Sequence, residues 1–131
     1  MGVRVIEGGV FHFCVGLTKV QFGDMLQTIG ENSFYSCTSL RAILMPSVRS
    51  IGRYAFDNCQ QLTDLDLPEG LETVGQRAFH FCQRLRRIAM PLKSDMMEDD
   101  VFSDCPDLTT LDSAGGIHNT TIASLHLERW R

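Results

Sequence analysis

The five cysteines, Cys14, Cys37, Cys59, Cys82 and Cys105, are spaced by 23, 22, 23 and 23 residues, and most apolar positions keep the same period. Three residues before each cysteine stands a phenylalanine (Phe11, Phe34, Phe56, Phe79, Phe102), and three after it a leucine (Leu17, Leu40, Leu62, Leu85, Leu108). Six residues after the cysteines come Val20, Ile43, Leu65, Ile88 and Leu111; eight before them come Ile6, Ile29, Ile51, Val74 and Met97. Gly30, Gly52 and Gly75 follow in the three middle copies, and Pro46, Pro68 and Pro91 close three units. A chain built this way can bury its apolar residues only by stacking each unit on the next, as a solenoid. The 22-residue interval is a single deletion after Pro46, where a loop absorbs it.

Within a unit, Asp64-Leu65-Asp66-Leu67 alternates polar and apolar residues as a half-buried strand does, and Pro68 stops it. One such strand per repeat, always in the same direction, makes a parallel sheet. Leu71-Glu72-Thr73-Val74-Gly75 reads as a second short extended piece on the opposite side. Gln76 to Cys82 reads as one helical or 3-10 turn that closes the coil. The predicted fold is an α/β repeat solenoid, right-handed, with a parallel concave sheet and short strands and turns behind it. The solenoid spans residues 1–112, about five repeats of which the first is incomplete. Residues 113–131 break the pattern, and the apolar spacing from Thr120 to Trp130 predicts a C-terminal helical cap; a further strand through Ile122, Leu125 and Leu127 is the alternative.

The pattern Leu-x-x-Ile-x-Leu-Pro followed by Val-x-x-Ile-Gly-x-x-Ala-Phe-x-x-Cys resembles the BspA-type leucine-rich repeat. The resemblance covers roughly residues 3 to 112 and is closest at Tyr54-Ala55-Phe56-Asp57-Asn58-Cys59 and Arg77-Ala78-Phe79-His80-Phe81-Cys82. Gly23 departs from it where the first copy would carry proline, and Met96-Met97-Glu98 departs where the last would carry Ile-Gly. The resemblance implies a curved, non-enzymatic solenoid for protein recognition. As function it implies a scaffold for protein-protein interaction, with a cell-surface adhesin or receptor-like ligand-binding protein as the alternative.

Composition narrows the partners. Twelve basic and 16 acidic residues give a net charge of −4, the wrong sign for nucleic-acid binding, and no apolar run is long enough to insert in a membrane. The first residues lack a signal peptide's basic end and apolar run, and reduced cysteines suit a reducing compartment, but the compartment itself stays open. Stacking pairs Glu31 with Arg53, Arg49 with Glu72, Asp64 with Arg87, Arg77 with Asp100 and Arg84 with Asp107 in neighbouring repeats, while Glu72 meets Asp95 as a like charge.

The candidates for chemistry are few. A ladder of equivalent cysteines keeps Cβ atoms too far apart for easy disulfides and has the wrong shape for tetrahedral zinc, so the thiols read as buried and reduced. His12 and His80 occupy the same position three repeats apart and read as solvated turn residues. Asp64, Asp66 and Asp112 are the acids of the open strand face, with no nucleophile or metal-binding set beside them, so no enzyme, cofactor or metal is expected. Strand alternation assigns the candidate binding face to one column of Lys19, Ala42, Asp64, Arg87 and Thr110 and another of Gln21, Leu44, Asp66, Ala89 and Asp112. Arg87 is the one residue there of a type enriched at binding hot spots. Val3 to Ile6 match Val48 to Ile51, so the chain opens partway through a repeat, and edge-to-edge association through this N-terminal repeat is a further expectation.

Overall fold

The computed structural model describes residues 2–91 and 96–113. It is a parallel-stranded solenoid of about five coils whose strands alternate between two sides. On one side β1 (Val5–Ile6), β3 (Thr28–Ile29), β5 (Ser50–Ile51) and β7 (Thr73–Val74) form a parallel sheet that Val74 extends by a bridge to Met97. On the other side β2 (Lys19–Gln21) pairs with β4 (Ala42–Leu44), and β6 (Asp64–Asp66) pairs with β8 (Arg87–Met90) and β9 (Thr110–Ser113). The register is that of the sequence columns: Val20 faces Ile43, and Leu65 faces Ile88, which faces Leu111. The expected continuous ladder breaks once. β4 and β6 lie side by side but are not paired, and the break falls at the one short repeat interval.

The columns fill the interior as a stacked spine. The rings of Phe11, Phe34, Phe56, Phe79 and Phe102 lie face to face, with successive centroids 5.1, 5.1, 5.2 and 5.6 Å apart. Spacing near the strand repeat of about 4.8 Å makes this offset stacking a direct product of the coil rise. Beside the rings run the thiols, each donating to the carbonyl of the phenylalanine one coil back: Cys37 to Phe11 at 3.3 Å, Cys59 to Phe34 at 3.5 Å, Cys82 to Phe56 at 3.4 Å and Cys105 to Phe79 at 3.1 Å. The five cysteines are free, with Cys14 half-buried and the others buried. Burial pushes the Cys37, Cys59 and Cys82 thiols up from their ordinary value, which keeps them as neutral donors.

The turn before each cysteine differs from the helical or 3-10 turn expected of it, and no helix occurs among the described residues. Two positions per coil are left-handed: Gly9, Asn32, Tyr54, Arg77 and Asp100 five residues before the cysteine, and Phe13, Ser36, Asn58, Phe81 and Asp104 one before it. A left-handed residue every fourth position interrupts any continued right-handed helix, leaving single i→i+3 turns such as Tyr35 N–H to the Asn32 carbonyl. It also aims alternate N–H groups at the next coil, so Asn32, Phe34 and Ser36 donate to the carbonyls of Arg53, Ala55 and Asp57. The middle glycines allow that approach. A Cβ on Gly30, Gly52 or Gly75 would sit 2.7, 2.7 or 2.5 Å from backbone of the preceding coil, closer than real contacts allow.

Candidate interaction surface

The open side of the β2, β4, β6, β8 and β9 strands carries the ten residues assigned to it from the sequence. Lys19, Gln21, Leu44, Asp64, Asp66 and Thr110 are exposed, and Ala42, Arg87, Ala89 and Asp112 are half-buried, while Ile43, Leu65, Ile88 and Leu111 point inward. The break between β4 and β6 divides this face into two halves of different chemistry.

The half on β6, β8 and β9 is an ion-pair lattice. Asp64 and Arg87 are register partners as expected, yet they do not pair. The Arg87 guanidinium instead reaches diagonally, with Nε 2.8 Å from Asp112 Oδ2 and Nη1 3.2 Å from Asp66 Oδ1. Asp64 takes Arg86, at 3.4 Å to both Nε and Nη2. The physical reason is length: an arginine spans diagonal neighbours in a sheet, and two carboxylates satisfy its planar fork better than one. The Asp112 carboxylate, aided by Asp66, pushes the Arg87 guanidinium above its ordinary value, so this cation is already neutralised within the face. Elsewhere Arg49 pairs with Glu72 at 3.6 Å and Arg77 approaches Asp100 at 4.0 Å, as the columns predict. Glu31 with Arg53 and Arg84 with Asp107 form no ion pair among the described residues, and Asp95 lies outside them.

The half on β2 and β4 carries Lys19 and Gln21 exposed beside Leu44, and its apolar ground lies where it meets the β6 coil. A groove of about 720 Å³ runs along the C-terminal ends of β2, β4 and β6, floored by Phe22, Leu44, Pro46 and Leu67. Asp24, Asp66 and Glu69 line it with no lysine or arginine, and Leu44 is 44% exposed. Phe22 also lines a cavity of about 550 Å³ at the open N-terminal end, with Val3, Val5, Phe11 and Met25. Strand alternation named Gln21 and Leu44 but could not reach Phe22, Pro46 or the groove. The 22-residue interval was the signal for the seam that shapes it.

His80 departs from the solvated turn residue expected. Its side chain is 17% exposed and lies between two carboxylates, Nδ1 3.1 Å from Asp57 Oδ2 and Nε2 3.0 Å from Asp104 Oδ2. His12, at the equivalent position, is exposed and turns Nδ1 to the Gly9 carbonyl of its own turn. Aligning the repeats places Asp57 directly below His80, so the pair was visible had histidine been counted among the charged residues. Among the described residues no group of three His, Cys, Asp or Glu side chains is placed to hold a metal ion, and no helix is long and apolar enough to cross a membrane.

Comparison with known proteins fits this geometry. The model of the BspA type leucine rich repeat region matches residues 4–124 in six copies. The chain belongs to the BspA-type leucine-rich repeat family. These repeats serve in general as protein-interaction repeats. The match runs past residue 112, onto residues outside those described, where the expected C-terminal cap also falls. A leucine rich cell surface protein from Faecalibacterium prausnitzii is similar at 29% identity and a TM-score of 0.79, covering 94% of this chain and 32% of that one. A leucine-rich repeat protein from Bacteroides ovatus is similar at 27% identity and a TM-score of 0.58, covering 83% of this chain and 34% of that one. The T. pallidum leucine rich repeat protein shares the fold at 20% identity and a TM-score of 0.61, covering 98% of this chain and 77% of that one. The chain thus spans about a third of the length of the F. prausnitzii and B. ovatus proteins. No curated protein sequence matches it.

Proposed function

We propose that the chain is a non-enzymatic leucine-rich-repeat scaffold that binds a protein segment on the β2 and β4 half of its open face. The observation that carries this reading is the contrast across the seam. Arg86, Arg87, Asp64, Asp66 and Asp112 satisfy one another on one half, so a partner there must break ion pairs to gain its own. Across the seam Leu44 stands exposed over a groove that also takes Leu67, Pro68 and Glu69 from the β6 coil, with Asp24 as its acid on the β2 side and no base among its lining residues. Its chemistry suits an extended segment that inserts an apolar side chain beside Phe22 and Leu44 and flanks it with lysine or arginine. Selection of a displayed random peptide library on the full chain tests this. Enriched peptides should carry an apolar residue flanked by bases, lose binding to Leu44→Glu and keep it to Thr110→Glu. Peptides indifferent to Leu44→Glu, or none enriched, overturn the assignment of the β2 and β4 half.

The similarity to a protein described as a cell surface protein supports a second reading, an adhesin or receptor-like module of a longer surface protein. Protease shaving of intact cells that express the complete gene separates the readings: loss of this region supports the surface module, and protection until lysis supports the internal scaffold.

The N-terminal end supports one further contact. The edge of β1 is unpaired among the described residues, and Val3, Val5, Val10 and Phe11 are exposed around the end cavity. Such an edge and apolar end invite pairing with another coil of the same pattern. Sedimentation at rising concentration, with and without one added polar capping repeat, tests it. Association that the cap abolishes is the expected result, and a monomer in both cases at about 100 μM overturns it.

A further inference from the structure

Asp57, His80 and Asp104 belong to three successive coils, and both ring nitrogens of His80 meet carboxylate oxygens. Nδ1 lies 3.3 and 3.1 Å from the two oxygens of Asp57, and Nε2 lies 3.0 Å from Asp104. A neutral imidazole carries one N–H, so it can donate to one of these carboxylates only. Its other nitrogen would then turn a lone pair toward an anion. Satisfying both contacts takes one proton more than a neutral ring beside two ionised carboxylates would supply, held either on the second ring nitrogen or on Asp57. We propose that Asp57, His80 and Asp104 form a proton-dependent clasp that ties the third, fourth and fifth coils of the solenoid together.

The surroundings favour a held proton. Asp57 is 6% exposed, and burial pushes its carboxyl up from the ordinary carboxylate value against the opposing pull of His80 and Arg77. Phe81 closes one side of the imidazole, edge-on, at a centroid distance of 5.2 Å. The other groups at hand do not replace the proton. Arg77 offsets part of the Asp57 charge from a distance, but its Nε makes no hydrogen bond to any carboxylate and stands 4.0 Å from Asp100. Ser36, Asn58 and Gln60 form a neutral hydrogen-bonded ladder alongside, and the Cys59 and Cys82 thiols are kept neutral by burial. The two arms differ. Asp57 is fixed in the interior of the turn, whereas the Asp104 side chain is 67% exposed and can exchange the imidazole for water. Loss of the proton therefore opens the Asp104 arm first and removes this one side-chain tie between the fourth and fifth coils, whose strand pairing and ring stacking remain. A carboxyl raised in the folded state favours the protonated form, so the clasp stabilises at acid pH and weakens as pH rises.

Urea unfolding of the full chain between pH 5 and 8 tests the clasp on the parent, His80→Gln, Asp104→Asn and His12→Gln. The parent should hold a midpoint roughly 0.5 M above His80→Gln at pH 5, with the difference closing toward pH 8. His12→Gln should track the parent, and Asp104→Asn should remove most of the pH-dependent difference. Parallel parent and His80→Gln curves across the range overturn the proposal. Should His80→Gln fail to fold, ring nitrogen resonances of His80 in the unmodified chain decide. Both nitrogens in hydrogen-bonded form at pH 5, with Nε2 released on raising the pH, support the clasp, and a ring whose Nε2 contact ignores pH overturns it.

Discussion

Phe11 and Phe56 are the same residue at the same repeat position, each stacked on Phe34 with centroids 5.1 Å away, yet Phe11 is 39% exposed and Phe56 is 0% exposed. The difference lies entirely in the neighbours. Phe56 has a ring on either face, since Phe79 follows at 5.2 Å, whereas Phe11 has a described ring on one face only. Stability in this fold belongs to the interface between coils rather than to the coil, as expected of a one-dimensional array. Among the described coils the first is therefore the one that leaves most apolar surface exposed, and its packing depends on what lies against that face.

The largest effect that can break this comparison is ring deletion. Phe56→Ala should cost about 3–5 kcal/mol, because it removes a fully buried ring and leaves a cavity between two others. Phe11→Ala should cost only about 1–2 kcal/mol, since part of that ring already faces solvent. Urea midpoints report both, and equal losses would show that the first coil is packed as tightly as the third.

Close backbone approach gives a second contrast of intermediate size. A Cβ on Gly52 would sit 2.7 Å from the Glu31 nitrogen and 2.9 Å from the Gly30 carbonyl carbon, whereas one on Gly16 meets nothing within 4 Å. Gly52→Ala should therefore force two coils apart at a cost of about 2 kcal/mol. Gly16→Ala should stay within about 0.5 kcal/mol of the parent. A tolerated Gly52→Ala would mean that the middle coils can slide, and that the end coil is not uniquely soft.

Much of this architecture was legible in the sequence because it is carried by columns that repeat. Phe, Cys and Leu at fixed spacing determined which residues face inward, and the strand pairing of Val20 with Ile43 and of Leu65 with Ile88 follows from the same register. The turn was not legible. Its left-handed positions hold Gly9, Asn32, Asn58, Asp100 and Asp104, which tolerate that geometry, but also Phe13, Tyr54, Arg77 and Phe81, whose side chains give no sign of it. The coil-to-coil hydrogen bonds that hold these residues there exist only once the coils are stacked. Site chemistry failed for a related reason: columns predict vertical neighbours, while Arg87 reaches two diagonal ones and His80 joins its own column to the next through Asp104.

Thiol labelling is the gentlest probe of the same comparison, for it perturbs no packing until a coil has opened. Cys14 is half-buried in the exposed first coil, while Cys59 and Cys82 are fully buried and donate to the Phe34 and Phe56 carbonyls. Burial pushes the Cys59 thiol up, so little reactive thiolate exists there while the coil is closed. Alkylation of the native chain followed by mass spectrometry should modify Cys14 first. Cys59 and Cys82 should lag by a factor of about 100 or more, because their reaction waits for sub-global opening. Raising the pH should speed the central pair only as far as opening itself increases. Comparable rates at Cys14 and Cys59 would show that the coils open together, and the contrast between Phe11 and Phe56 would then describe exposure alone and not local stability.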